Sequence, residues 1–146
     1  MKTQLTSVPK PLKIYIDENL PRQFAKAFNI IQTHLNKTEK KEILVFSMKD
    51  IDEGASDIDW FNALKNENAI ILTLDRNIQR HKHEKKAYEE NGIGIIFFKQ
   101  PKGGISFWNS FKHLVKHWEE IKSICRKEKL PFAYRQPGQN KKFEKW

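Results

Sequence analysis

One cysteine, Cys125, stands in the 146 residues. A lone thiol cannot close an internal disulfide and cannot furnish a Cys-rich zinc site. No apolar run approaches the roughly 20 residues that a bilayer-spanning helix needs. Residues 1–10 are polar, with two lysines and a proline, and do not read as a signal peptide. No internal repeat is visible. These absences argue against a disulfide scaffold, a membrane-spanning protein and a solenoid. They leave the expectation of a soluble, cytoplasmic protein.

What is present suits a single packed domain. Hydrophobic residues make up 38%, including 10 Phe and 4 Trp, enough for a core at this length. The formal net charge is +9, a balance that favours polyanions, nucleic acid first. The charge is uneven. Residues 1–104 carry 17 Lys/Arg against 14 Asp/Glu, whereas residues 105–146 carry 10 against 4. We therefore expect a nearly neutral core over 1–104, and a basic C-terminal helix and tail over 105–146 packed on the same domain.

Apolar runs at 12–16, 43–46, 69–74 and 93–98 read as buried strands. Between them lie helical patterns. Phe24, Phe28, Ile31 and Leu35 follow Pro21 with the spacing of one helical face. Ser56-Asp57-Ile58-Asp59 has the form of a capping box before a helix through Trp60, Phe61 and Leu64. Residues 78–90 form a polar crossover stopped by Asn91-Gly92. The longest helix spans 106–129, with Phe107, Phe111, Leu114, Trp118, Ile121 and Cys125 along one face, and Pro131 ends it. Its other face, with Lys112, Lys116, Lys122 and Lys129, joins Arg126, Lys127, Arg135, Lys141 and Lys142 in a basic surface. The residues after Pro137-Gly138 read as an irregular tail. Strands alternating with helices predict a mostly parallel sheet of about four strands covered on both faces.

Two of the apolar runs end in acids. Ile16 leads into Asp17-Glu18-Asn19, and Leu74 into Asp75. In neighbouring parallel strands these acids emerge at one edge of the sheet, where open α/β folds bind ligands. Asp57, freed from capping by Asp59, can join them. Carboxylates gathered there repel one another without a cation, and their oxygens suit Mg²⁺ or Mn²⁺. Asp17, Asp57 and Asp75 are thus candidate catalytic residues, and with Glu18 candidate metal ligands. Arg76, Arg80 and Lys82 follow closely enough to meet phosphates of a bound strand. His81 and His83 diverge on a helix and read as part of a solvated basic face.

The succession Ile16-Asp17-Glu18-Asn19-Leu20-Pro21, Gly54-Ala55-Ser56-Asp57 and Leu72-Thr73-Leu74-Asp75-Arg76-Asn77 resembles the compact PIN-like domains, a branch of the PIN nuclease superfamily. The resemblance covers about residues 12–100. It implies a PIN-like three-layer sandwich, acids holding Mg²⁺ or Mn²⁺, ribonuclease activity and a toxin role beside a protein antitoxin. Two positions depart from the pattern: the helix after Pro21 offers no acid, and Asn77 stands where the family has a second Asp. RNA is then the expected substrate and an antitoxin a partner, with no membrane partner; a homodimer is left open. Two other readings compete. One is a PIN-like module that binds RNA or protein through its basic C-terminal region without cleaving. The other is a receiver-like phosphoacceptor, suggested by Lys99-Gln100-Pro101, although too little chain separates Asp75 from Lys99 for its additional βα unit.

Overall fold

The computed structural model describes residues 10–17, 20–51, 62–75, 78–99, 106–138 and 140–146, with backbone only at 75, 78–81, 83 and 84. Along the chain run β1 (Leu12–Ile16), α1 (Arg22–Leu35), β2 (Ile43–Ser47), a 3-10 turn (Met48–Asp50) and β3 (Ala69–Asp75). Then follow α2 (Ile78–Glu90), β4 (Gly94–Lys99), α3 (Phe107–Lys127), β5 (Ala133–Arg135) and β6 (Glu144–Lys145). Residues 62–64 are also helical. One sheet takes the order β2-β1-β3-β4-β5-β6. Its first five strands are parallel, and β6 is antiparallel to β5.

Six strands replace the expected four or so. β6 falls in the stretch expected to be irregular, and β5 in the short segment between Pro131 and Pro137, for which no strand is expected. Beyond Pro131, Phe132 and Tyr134 bury on one face of the sheet and Ala133 on the other, so even this short run alternates as a strand does. Gly94 allows the approach. A Cβ built there would lie 2.8 Å from Leu130 Cδ2 and 2.9 Å from Phe132 Cζ, so any larger residue would require these side chains to shift.

Strand alternation sorts the core into two halves. Ile14, Ile16, Ile70, Leu72, Leu74, Ile96 and Phe98 pack with Phe24 and Phe28 of α1 and Leu114, Trp118 and Ile121 of α3. Tyr15, Ile71, Ile95 and Phe97 pack on the opposite face with Leu64 and with Tyr88 of α2. The result is a three-layer sandwich. Cys125 is buried in the first half, as its helical position predicts. Gly92, with φ of +72°, ends α2 where the sequence placed the stop. Among the described residues, no helix is long and apolar enough to cross a membrane.

The helices correct two assignments. Ile31 is 52% exposed and Gln32 is buried in its stead. Phe107 is 46% exposed, although its ring still meets Phe24 at 4.9 Å. At the outer edge of β2, side chains of α1 and of Asn36 just beyond its end meet the backbone. Asn29 Oδ1 accepts from the Val45 N–H at 2.9 Å. Asn36 Oδ1 accepts from the Ile43 N–H at 3.1 Å, while its Nδ2 donates to the Ile43 carbonyl at 2.8 Å.

Candidate functional site

From β1 the strand order runs to β2 on one side and to β3 on the other. The chain therefore reverses its winding between β1 and β3, and in such sheets the crevice outside the carboxyl ends of the strands is open to ligands. Ile16 pairs with Leu72 across this junction. The next residue, Asp17, donates its N–H to the Leu72 carbonyl at 3.0 Å. Its Oδ2 accepts from the Thr73 hydroxyl at 2.7 Å, a charge-assisted bond that holds the carboxylate against β3. The Asp17 carbonyl then accepts from the Leu20 N–H at 3.0 Å, turning the chain toward Pro21 and α1. Arg22, at the start of α1, donates to the Lys49 carbonyl at 3.2 Å and pairs with Asp50 at 3.2 Å, which ties the end of β2 to the same edge.

Asp75 is the last residue of β3, in register with Lys99 at the end of β4. Asp17 and Asp75 thus stand at the carboxyl ends of adjacent parallel strands, as the two apolar runs predicted. Glu18, Asp57 and Arg76 lie outside the described residues, and so do the side chains of Asp75 and Arg80. Lys82 is an exposed residue of α2. Among the described residues, no group of three or more His, Cys, Asp or Glu gathers to hold an ion. Thr73 escaped the sequence reading as a site residue. Its signal was available: it is the only hydroxyl in an apolar strand, two positions before an acid.

A second polar group braces this edge one strand further along. Gln136 Oε1 accepts from the Lys99 N–H at 2.9 Å and lies 3.0 Å from His113 Nε2. Gln136 Nε2 donates to the Lys141 carbonyl at 3.1 Å and lies 3.1 Å from His117 Nε2. The Lys99 bond fixes which end of the amide is oxygen, so His113 donates and His117 accepts. Burial pushes the His113 pKa down, against the opposing effect of its bond to Gln136. The i, i+4 spacing of the two histidines was the legible sign of a shared partner.

The expected basic face of α3 is corrected at its centre. Lys122 is fully buried. Its Nζ lies 3.0 Å from Glu39 Oε2, 3.1 Å from Glu119 Oε1 and 3.2 Å from Gln32 Oε1. Arg126 also turns inward, to Glu39 at 2.7 Å and to the Lys41 carbonyl at 3.1 Å. A charge leaving water needs such partners, and both cations find them on the α1–β2 connection. Arg135 lies over the Trp146 ring at 5.9 Å. Lys112, Lys116, Lys127, Lys129, Lys141 and Lys142 are the members of the expected surface that face solvent or its margin.

A family described as PIN like domain matches residues 12–100 of this chain. The match spans β1 to β4 and includes both strand-end acids. No curated protein matches the chain.

Proposed function

The chain belongs to the PIN-like domain family, and we propose that it is a divalent-ion-dependent endoribonuclease acting as the toxin of a toxin–antitoxin pair. The family is of a nuclease type, and its substrate theme agrees with the net charge of +9. The observation that supports the reading is the placement of Asp17 and Asp75 at the carboxyl ends of adjacent parallel strands, at the point where the winding reverses.

The donor chemistry fits a hard divalent cation: Asp17, Glu18, Asp57 and Asp75 would hold Mg²⁺ or Mn²⁺ through carboxylate oxygens alone. A bound ion of this kind lowers the pKa of a water and offsets charge on a phosphate. The protein's own part is positional. Thr73 fixes one oxygen of Asp17, and the backbone bond to Leu72 holds that residue at the end of the strand. Arg76, Arg80 and Lys82 would bear on the phosphates. The brace through Gln136 holds the end of β4, where Lys99 stands beside Asp75.

The test is cleavage of single-stranded RNA by the purified chain in Mg²⁺ or Mn²⁺ and in chelator. Cleavage is expected with the ion and not with chelator, and Asp17→Asn should abolish it while the melting temperature stays close to wild type, since Asn keeps the shape and an oxygen that can accept from Thr73. Full cleavage by Asp17→Asn would end the proposal. Expression of the wild-type chain in bacteria should arrest growth, and expression of Asp17→Asn should not.

A further inference from the structure

We propose that Trp108, with Phe107 beside it, is a stacking platform for an unpaired base of the RNA that reaches the Asp17 edge. The inference rests on the nuclease reading and adds a binding residue to it.

Trp108 is 67% exposed, more than any large aromatic among the described residues. Exposing so much indole on a packed helix forgoes burial worth about 25 cal/mol per Å² of apolar surface. Among the described residues, its neighbours do not cover it. It meets Phe107 at 5.8 Å with an interplanar angle of 82°, and Phe111 at 6.2 Å with an angle of 79°. Both contacts are edge-to-face, so no protein ring stacks parallel on the indole among the described residues. Phe111 in turn packs on Phe24 and Phe28 at 5.3 Å, and these two are buried in the core. The ring is therefore exposed and yet held from behind by a rigid aromatic ladder. A platform for a flat ligand needs both properties.

The position suits the substrate. Phe107 is the first residue of α3, and its ring rests on Phe24 in the first turn of α1. That turn begins just beyond Leu20 and the Asp17 carbonyl it bonds. Trp108 and Asp17 thus belong to the same end of the sandwich, in different layers, and a strand crossing that end would pass both. One turn along α3 from Trp108, Lys112 is exposed with no ion-pair partner among the described residues. An aromatic face with a lysine next to it is the pattern of sequence-tolerant single-strand binding, in which bases stack and phosphates meet cations. The lysine also argues against self-association through this patch, since a two-fold contact would bring like charges together.

The test is binding of a fluorescein-labelled single-stranded RNA of about twelve nucleotides, measured by anisotropy in chelator so that no cleavage intervenes. Trp108→Ala and Trp108→Leu should each weaken binding by about tenfold or more. Trp108→Phe should keep most of the affinity. The slope of log affinity against log salt should not change in any Trp108 variant, because no phosphate contact is lost, whereas Lys112→Gln should lower it by about 0.7. Melting temperatures near wild type are expected, as the ring is exposed. Trp108→Leu binding like wild type while Trp108→Ala fails would mean that apolar bulk alone matters, and would overturn stacking. Wild-type affinity in all the Trp108 variants would overturn the platform alone and leave the patch to a protein partner. Absence of RNA binding by the wild-type chain would overturn both the platform and the nuclease reading.

Discussion

The ammonium of Lys122 lies 3.0 Å from Oε2 of Glu39, a partner 83 residues earlier in the chain. This pair joins α3 to the connection between α1 and β2, and Gln32 completes it by accepting from Lys122 and donating to Glu39 at 2.8 Å. Trp118 Nε1 donates to the same Gln32 oxygen at 3.4 Å. The contact between the two helices is thus apolar at Phe28 and Trp118 and ionic one turn further on.

Lys122→Ala should destabilise the protein by about 2–5 kcal/mol, because it empties the space of a fully buried side chain, while Glu39 keeps its bonds from Arg126 and Gln32. Lys122→Met, which keeps the length of the stem, should lose less than Lys122→Ala, because it fills the space that alanine leaves empty. Urea unfolding followed by tryptophan fluorescence measures both. Equal midpoints for wild type and Lys122→Ala would mean that the pair adds nothing net.

Acid should unfold the protein partly through Glu39. Hydrogen bonds from Arg126, Gln32 and Lys122 hold its carboxyl at about 2, below its ordinary 4.5. A carboxyl depressed on folding contributes stability that is complete above its unfolded value and is lost as pH falls through the folded one. The loss should therefore run from about 4.5 down toward 2. Glu39→Gln should be less stable at neutral pH and should show a shallower decline in this window. An unchanged acid limb in Glu39→Gln would assign the decline to other groups.

Thr73→Val removes the hydroxyl that donates to Asp17 and keeps the shape of the side chain. Stability should fall by about 1.5–3 kcal/mol, the net worth of a hydrogen bond to a charged group. Divalent-dependent RNA cleavage should fall at least tenfold, and Thr73→Ser should restore most of it. Cleavage by Thr73→Val at the wild-type rate would show that other contacts orient Asp17.

Cys125 should be inert in the native protein. Complete burial pushes its thiol up to about 12, and the thiolate is the reactive form. A thiol-specific reagent at pH 8 should label none of the folded protein within minutes and one equivalent in denaturant. Rapid labelling without denaturant would contradict the packing of α3.

The four parallel strands of the core were legible because each is a continuous apolar run bounded by polar or turn residues, and such runs need no partner to be recognised. β5 and β6 were not. Three and two residues long, they have no pattern of their own and depend on β4 already being in place. Asp17 and Asp75 could be read as strand ends, because an acid after a buried run has few other positions. The bond from Thr73 could not be read, since it depends on the register of β1 against β3. Lys122 was misassigned for the same kind of reason. Its charge argued for the solvent face although it stands four residues after Trp118, and the partners that let it bury belong to residues far earlier in the chain. Ile31 and Gln32 exchanged roles because Gln32 could satisfy every polar atom inside, and hydropathy takes no account of available partners.

Asn29 and Asn36 have a consequence beyond α1. An outermost strand with free amides and carbonyls is a template for another chain, and the usual defences are lysines, prolines or a covering loop. Here two side-chain amides fill the vacant ladder positions of Ile43 and Val45 in place of a seventh strand. With the Ile43 N–H and carbonyl and the Val45 N–H occupied, growth of the sheet on that side is disfavoured. A strand from a neighbouring molecule would first have to displace bonds within the protein, which disfavours both strand exchange and fibrous aggregation starting from β2.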